Sequence, residues 1–318
     1  MDQRAMDEAA LLRHIEHRSR NHPGPASVFH SVIVGPGDDC AVTRSQSGEL
    51  LLTTVDHLVA GRHFDESMLS DEQSLDLVAR KAVARSISDI AAMGGTPAWA
   101  LATGLLPDGC AYADCLFDHM HRWANHWNAP LIGGDIAFGP GPLALTVTVA
   151  GVMPDNAAPV LRSTARAGHA VYVTGPIGDS YDSGHHLRFE PRLAVGRAIA
   201  AINHAHGKDS CSMLDLSDGL GRDAARIGVA SGVVLDIQAA AIPRRNPAGT
   251  PLAAAAAGED YELLFTLDPA LDQPSSEVPI TRIGTVREPH PDEAPGATIT
   301  DPHGTPHDAT NLGWNHGG

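Results

Sequence analysis

The chain contains the stretch Val32-Ile33-Val34-Gly35-Pro36-Gly37-Asp38-Asp39, a short apolar run that ends in glycine and paired aspartates. Apolar runs followed by aspartate recur in Leu51-Leu52-Thr53-Thr54-Val55-Asp56, in Leu131-Ile132-Gly133-Gly134-Asp135 and in Met213-Leu214-Asp215-Leu216-Ser217-Asp218-Gly219. Each apolar run predicts a strand, and strand C-termini are where α/β proteins place ligands. The neighbouring glycines let the backbone approach such a ligand closely.

The repeated aspartates predict a site for hard divalent cations. Carboxylate oxygens are ligands that such ions prefer, whereas like charges gathered without a cation raise one another's pKa and cost stability. Asp38-Asp39 on its own is explained by ordinary turn chemistry, and so is Asp56 or Asp135. The four occurrences together favour a metal cluster. Because phosphates are the usual anions that such ions hold, the pattern indicates a magnesium-dependent nucleotide enzyme.

Charge narrows the function classes. The 318 residues include 38 acidic and 22 basic side chains, giving a formal net charge of −16, and the only lysines are Lys81 and Lys208. This balance argues against sequence-independent nucleic-acid binding and against binding to an anionic membrane. A phosphate substrate would therefore need metal ions to reverse the local field. The sequence has no GxxxxGK[ST] and no protein-kinase signature set, so lysine-based phosphate binding is not indicated.

Cysteine and histidine give weaker signals. The four cysteines lack CxxC spacing, which predicts free thiols in a reducing compartment rather than a zinc site. Close histidine pairs such as His119 and His121 have no third ligand nearby in the sequence, so they are interpreted as surface residues. The charged N-terminus predicts no signal peptide, and no run approaches the ~20 apolar residues of a membrane span. We therefore expect a soluble, cytoplasmic protein.

Predicted strands and helices alternate in both halves, with hairpin-like neighbours. This pattern predicts an α/β (α+β) fold of mixed sheets packed with helices rather than a Rossmann fold. A first helix is predicted over residues 6–20. Turn residues at 153–156 predict a boundary between two domains, residues 1–153 and residues 154–318.

Two central elements carry candidate site residues. The continuous apolarity of Leu50 to Val55 predicts a strand that is buried on both faces. Ser74 is predicted to cap a long helix that ends near Met93. Asp89 falls in the final turns of that helix, where the macrodipole disfavours a carboxylate unless a cation lies nearby.

Nine blocks of sequence occur in an order that resembles the thiamine-monophosphate kinase family. They are GPGDDCAV, TTVDHLVAGRHF, SISDIAAMGGTPAWALATGLLP, LIGGDIAFGP, LRSTARAG, YVTGPIGDS, HHLRFEPRLAVG, LDLSDGL and GEDYELLFT. The resemblance extends from Val32 to Gly284, with a further match at Leu312-Gly313-Trp314. A wider superfamily, which includes aminoimidazole ribonucleotide synthetase, shares the fold and some of the aspartates.

The resemblance implies a two-domain, aminoimidazole ribonucleotide synthetase-like fold that forms a homodimer. Its N-terminal domain would bind ATP and Mg²⁺ and pair across the dimer. ATP would donate its γ-phosphoryl group directly to thiamine monophosphate, giving thiamine diphosphate, by in-line transfer assisted by several Mg²⁺ ions. Whether K⁺ is also needed stays open.

The resemblance also assigns roles to individual residues. The residues around the Mg²⁺ ions would be Asp39, Thr54, Asp56, Asp89, Asp135, Asp215 and Asp218. Among them, the catalytic set would be Asp39, Asp56, Asp89, Asp135 and Asp218. ATP would contact Asp39, Gly134, Asp135, Arg162 and Ser217. The thiamine monophosphate site would be bordered by His63, Glu259 and Trp314.

Two departures from the family pattern bear on acceptor choice and rate. Thr54-Val55-Asp56 stands where Ser-Thr-Asp is usual, which removes one hydroxyl near the metals. Ala257 replaces the first of two glycines before Glu259, and because alanine does not adopt a positive φ cheaply, we expect a reshaped loop. Two alternatives follow: another ATP-dependent enzyme of the superfamily with a different acceptor, or a non-catalytic nucleotide- or thiamine-phosphate-binding relative.

Overall fold

The computed structural model describes residues 14–15, 31–154 and 157–314. Its strands are β1 (Ser31–Val34), β2 (Ala41–Arg44), β3 (Leu50–Val59), β4 (Thr96–Pro107), β5 (Leu131–Gly139), β6 (Ala144–Val152), β7 (Ala170–Thr174), β8 (Cys211–Asp215), β9 (Val234–Gln238), β10 (Leu263–Leu267), β11 (Ile280–Arg287), β12 (Gly296–Thr300) and β13 (Pro306–Asp308). Its α-helices are α1 (Glu72–Ala92), α2 (Ala113–His126), α3 (Leu193–His206), α4 (Leu220–Ser231) and α5 (Pro251–Ala256). Of the helix predicted over residues 6–20, only His14 and Ile15 are described, and both are helical.

The strands form two mixed sheets, as predicted. The first has the order β1-β2-β3-β6-β4-β5, in which only β4 and β5 pair in parallel. The second has the order β13-β12-β9-β11-β7-β10-β8, in which only β9 and β12 are parallel. The predicted boundary at residue 153 falls between the two sheets and stays a prediction; residues 155 and 156 lie outside the described residues.

Helix α1 begins two residues before the predicted cap at Ser74. The Asp71 side chain accepts a hydrogen bond from the Ser74 backbone N–H at 2.9 Å, so Asp71 is the N-cap and Ser74 lies in the first turn. The helix ends at Ala92, and Gly94 follows with a φ of +76°. The prediction of a long helix ending near Met93 is confirmed, and the prediction of its cap is wrong.

Strand β3 is longer than predicted and is buried on one face only. It runs to Val59 because it stays paired with β6 along its length, so Asp56 lies inside the strand rather than after it. Leu52 and Leu58 are buried against the helices, whereas Val55 is 60% exposed on the opposite face. The prediction of burial on both faces is therefore wrong. Asp135 likewise lies inside β5, which continues to Gly139.

The two halves of the chain pack closely. A Cβ added at Gly196 of α3 would lie 2.0 Å from the Ala91 carbonyl oxygen of α1, so the two helix backbones touch at this glycine. One apolar core continues from the first sheet through α1 into β8 and β10. Among the residues that the structure describes, no helix combines the length and apolarity needed to cross a membrane.

Candidate active site

A cavity of about 270 Å³ lies between the first sheet, α1 and the loops of the second half. It gathers most of the residues that the sequence singled out. Those lining it are Asp39, Thr54, Asp56, Asp89, Arg162, Asp215, Ser217, Asp218 and Glu259. Both halves of the chain contribute, so the site is shared between the two predicted domains. Four predicted residues lie outside the cavity lining: His63, Gly134, Asp135 and Trp314.

Three carboxylates form the centre of the cavity. Asp39, Asp89 and Asp215 each place an oxygen within 4.8 Å of the others. Asp39 follows the turn at Gly37, which has a φ of +121°, and Asp215 is the last residue of β8. These positions come from three distant parts of the sequence. The structure therefore brings together two of the aspartates predicted beside strands, Asp39 and Asp215, with Asp89 of helix α1.

Burial makes this trio electrostatically costly without a cation. Desolvation raises the pKa of Asp89 well above its usual range, and the charges of Asp56, Asp215 and Asp39 raise it further. Desolvation and then Asp39 likewise raise the pKa of Asp215. Thr54 donates a hydrogen bond to Asp89, and Ser88 donates to Asp215 at 2.5 Å. These two hydroxyls orient the carboxylates but do not neutralise them.

Three arginines surround the carboxylates. Arg162 donates two hydrogen bonds to Asp39, from Nη2 at 2.5 Å and from Nε at 3.2 Å, in the two-pronged geometry that suits a carboxylate. Arg226 pairs with Asp218. Arg85 lies 3.6 Å from Asp56. Although burial opposes it, Asp39 raises the pKa of Arg162, so this guanidinium stays charged.

Sequence reasoning missed several lining residues. The sequence pattern assigns Asp38 no role beyond turn chemistry, yet its carboxylate accepts a hydrogen bond from the Arg162 backbone N–H at 3.1 Å. Burial, and then Asp39, raises its pKa to about 7. Arg85 and Arg226 were not singled out either. The signal for Arg85 was present, because Arg85 and Asp89 are four residues apart on one helix and so share a face.

Gly134 and Asp135 lie in a separate shallow cleft beside α2. Across the sheet, Asp56 on β3 pairs with Val147 on β6, and Val147 pairs with Ala102 on β4. Ala102 pairs with Gly134 on β5. Gly134 is therefore three strand spacings, about 14 Å, from Asp56. A Cβ at Gly134 would lie 1.7 Å from the Ala102 carbonyl oxygen. Strand packing alone therefore requires glycine at this position, whether or not a ligand binds there.

The Asp135 side chain faces away from the helices. Asp135 is the strand partner of Thr103 on β4, and Thr103 is the partner of Thr146 on β6. Thr146 in turn pairs with His57 on β3, so these four residues form one row across the sheet. Neighbours in a row share a face of the sheet. Because His57 and Val55 are exposed, Asp135 lies on the open face, whereas Asp56 faces α1.

His63 and Trp314 lie at the margins of the site. The backbone carbonyl of His63 accepts a hydrogen bond from Lys81 at 2.6 Å, and its ring Nδ1 accepts from Val59 N–H at 2.9 Å. The Trp314 backbone N–H donates to the Asp218 carbonyl at 2.8 Å, and the residue as a whole is 56% exposed. Trp314 is thus held beside a lining residue of the cavity.

The loop that carries Glu259 differs from the expectation about Ala257. Ala257 has a φ of −73°, an ordinary value for alanine, so its replacement of glycine costs nothing here. The left-handed conformation falls instead on Glu259 and Tyr261, with φ values of +66° and +51°. Such values for residues with side chains cost about 1–2 kcal/mol each, so surrounding contacts must hold this loop.

A second group of metal-ligand atoms lies near the start of α1. Glu72, Cys115 and His119 place ligand atoms within 4.8 Å of one another. The sequence around His119 and His121 did not indicate this group, because Glu72 is distant in the sequence. Cys115 Sγ is 3.4 Å from His119 Nε2, and Arg122 and Asp76 surround the other ring nitrogen. An ordinary network of surface ion pairs accounts for this arrangement.

Comparisons with known proteins agree with this geometry. The family model described as "AIR synthase related protein, N-terminal domain" matches residues 37–153. The chain is 35% identical over 281 residues to the thiamine-monophosphate kinase of Salmonella typhimurium, covering 80% of this chain and 82% of that protein. It is 32% identical to the thiamine-monophosphate kinase of Bacillus subtilis, and the match covers 89% of this chain and 92% of that protein. A solved structure, AaThiL complexed with AMPPCP and TMP, matches with a TM-score of 0.78 at 25% identity and covers 99% of each chain.

Proposed function

Because the chain belongs to the thiamine-monophosphate kinase family and is a kinase, we propose that it transfers the γ-phosphoryl group of ATP to thiamine monophosphate, giving thiamine diphosphate. The observation that carries this proposal is the single cavity in which Asp39, Asp56, Asp89, Asp215 and Asp218 meet. The similar solved structure is a complex with AMPPCP and TMP, which supports both substrates.

The central trio fits a hard divalent cation. Its donors are carboxylate oxygens with no sulfur or imidazole among them, and its buried charges raise one another's pKa, which a cation would reverse. Asp39, Asp89 and Asp215 would hold Mg²⁺, with Thr54, Asp56 and Asp218 around them, and we propose several ions. When bound, the ions neutralise phosphate oxygens and so favour their approach to the acceptor.

The protein's own groups have the task of positioning. Phosphoryl transfer needs charge stabilisation and alignment, and it needs no covalent nucleophile. Arg162 fixes Asp39 and presents a planar set of N–H donors that suits a phosphate. Ser217 lines the same cavity and would contact ATP. We propose that the two substrates lie in line across the carboxylates.

The acceptor would lie toward Glu259, with His63 and Trp314 bordering it. Glu259 lines the cavity with 21% of its side chain exposed, and its carboxylate suits the cationic ring of thiamine monophosphate. Although burial opposes it, Lys81 and Arg85 lower the pKa of Glu259, so the carboxylate is ionised at neutral pH. His63 reaches this region through the Lys81 contact.

A homodimer would explain the open face of the first sheet. Val32, Val55, Leu105 and Val152 share this face by strand register and are 40–62% exposed. Exposed apolar patches of this kind mark interaction surfaces. Asp135 lies on the same face, so we propose that Gly134 and Asp135 meet ATP and Mg²⁺ only when a second protomer covers the sheet.

We also propose the predicted domain division, with residues 1–153 as the dimerising domain and residues 154–318 as the second domain. The sequence assigned ATP and Mg²⁺ binding to the first domain alone. Because residues of both halves line the cavity, we propose that ATP and Mg²⁺ bind between the two domains. The cytoplasm is the proposed compartment, since all four cysteines are free thiols. A K⁺ requirement is a further proposal, to be tested by replacing K⁺ with Na⁺ in the assay.

The test is a coupled assay for thiamine diphosphate with purified protein, ATP, MgCl₂ and thiamine monophosphate. Product that requires both substrates and Mg²⁺ is the expected result, and no product from folded protein rejects the proposal. ADP release with a formylglycinamidine acceptor instead would identify another superfamily reaction. Calorimetric binding of ATP and thiamine monophosphate without turnover would identify a non-catalytic relative.

A further inference from the structure

We propose that Lys81 is a positioning residue for the phosphoryl acceptor, because its buried ammonium holds the Glu259 carboxylate and the His63 carbonyl in one arrangement. This inference rests on the proposed function. It assigns a task to one of only two lysines in the chain, a residue that neither lines the cavity nor belongs to a phosphate-binding loop.

The ammonium of Lys81 is completely enclosed and completely satisfied. Its side chain is 0% exposed. Nζ lies 2.5 Å from Glu259 Oε2, 2.6 Å from the His63 carbonyl oxygen and 2.9 Å from His186 Nδ1. An ammonium has three N–H donors, so each donor has one acceptor. A buried charge with this geometry is costly to disturb, because any lost partner leaves an uncompensated donor.

The three acceptors come from three separate segments. His63 belongs to the turn after β3, His186 to the 3₁₀ turn His185–Leu187, and Glu259 to the loop before β10. The Lys81 ammonium therefore connects the first half of the chain to two loops of the second half. One cation sets the relative positions of two residues that would border the acceptor.

The strain in the Glu259 loop explains why such a contact is needed. Glu259 and Tyr261 both adopt left-handed φ values that disfavour side chains. The ion pair with Lys81 offsets that cost and fixes the carboxylate, and Tyr261 Oη adds a longer hydrogen bond to Oε2 at 3.4 Å. The loop backbone is also held by the Glu259 N–H, which donates to the Ser217 carbonyl at 2.8 Å, so loss of Lys81 would release chiefly the Glu259 carboxylate.

Helix α1 links this contact to the metal cluster. Lys81, Arg85 and Asp89 recur every four residues, so they share one face of the helix. Asp89 belongs to the carboxylate trio, and Arg85 lies between the two ends. One rigid helix would thus set the spacing between the metal end and the acceptor end of the site.

The experiment compares substrate dependence in matched variants. Lys81→Met removes the charge at similar length, and Lys208→Met is the control, because Lys208 is the other lysine and is exposed. We expect Lys81→Met to raise the KM for thiamine monophosphate at least tenfold, with the KM for ATP within twofold of wild type. Glu259→Gln should raise the same KM, and the double variant should be no worse than the more affected single variant.

Three results would overturn the inference. These are an unchanged acceptor KM in Lys81→Met, an equal rise in both KM values, which indicates general damage, and additive effects in the double variant. If Lys81→Met does not fold, Lys81→Arg keeps the cation with altered geometry and should raise the acceptor KM alone; unchanged values overturn the inference. Wild-type protein that makes no thiamine diphosphate would reject the proposed function instead.

Discussion

Replacing Asp89 with asparagine should stabilise the protein without metal and weaken its response to Mg²⁺. Asp89 is half-buried among carboxylates, with oxygens within 4.8 Å of those of Asp39 and Asp215. Two unit charges at that separation repel by roughly 3 kcal/mol at an effective dielectric constant of about 20. Since the trio can relieve part of this repulsion by taking up a proton, we expect Asp89→Asn to gain about 1–3 kcal/mol in EDTA.

In MgCl₂, wild-type protein should become more stable than Asp89→Asn. A ligand at a hundred times its Kd stabilises the folded state by about 2.7 kcal/mol, or about 4 °C in Tm for a chain of this size. Wild-type protein should gain this increment when MgCl₂ replaces EDTA. Asp89→Asn should gain much less, because one anionic ligand of the trio is gone. The asparagine carbonyl can still accept the hydrogen bond from Thr54, so the fold is preserved.

Thermal unfolding followed by circular dichroism, in EDTA and in MgCl₂, measures both effects. Asp292→Asn is the control, because Asp292 is an exposed residue in the turn before β12 and should shift neither curve. The reasoning is refuted if Asp89→Asn is less stable than wild type in EDTA. It is also refuted if both proteins respond equally to Mg²⁺, since the carboxylates would then not act as a metal site.

Three further outcomes are expected. Asp56→Asn should lower kcat about a hundredfold or more with an unchanged far-ultraviolet spectrum, because it removes a charge beside the proposed ions; wild-type rates would contradict this role. Burial lowers the pKa of Lys81 to about 8, below its ordinary value of 10.5, so its charge is lost as pH rises through 8. The acceptor KM measured by initial rates should therefore rise above pH 8 while the KM for ATP stays level, and an acceptor KM that stays level would count against the ion pair. Gly196→Ala should cost about 2 kcal/mol or more by Tm, since its Cβ would meet the Ala91 carbonyl at 2.0 Å, whereas Gly296→Ala, with nothing within 4 Å, should be neutral.

The convergence of the aspartates was predictable because it follows from general rules of sheet architecture. Apolar runs forecast strands, and ligand-binding carboxylates gather where strands meet loops. Asp215 is the last residue of β8, and Asp39 lies in the turn between β1 and β2, so both are found where strands meet loops. Asp56 reaches the cavity from inside β3, which the sequence did not indicate, because the length of a strand is set by its pairing with β6 rather than by its own apolarity.

The position of Asp135 could not be predicted from the sequence alone. Its face depends on strand register, and β4 and β5 shift register between Ala100 and Leu101. A one-residue shift moves every later side chain to the other face of the sheet. Such a shift depends on packing between strands distant in sequence. The LIGGD block therefore identifies a candidate ligand without showing on which face of the sheet it lies.

The charge balance of the cavity bears on how many ions the reaction needs. Seven carboxylates line it, from Asp38, Asp39, Asp56, Asp89, Asp215, Asp218 and Glu259, against three arginines, Arg85, Arg162 and Arg226. The carboxylates outnumber the arginines by four, and the phosphates of ATP would add further negative charge. Because lysine is absent from the lining, bound cations would have to supply most of the additional positive charge. The proposal of several ions agrees with that balance, and its expected consequence is a steep, cooperative dependence of turnover on Mg²⁺ concentration.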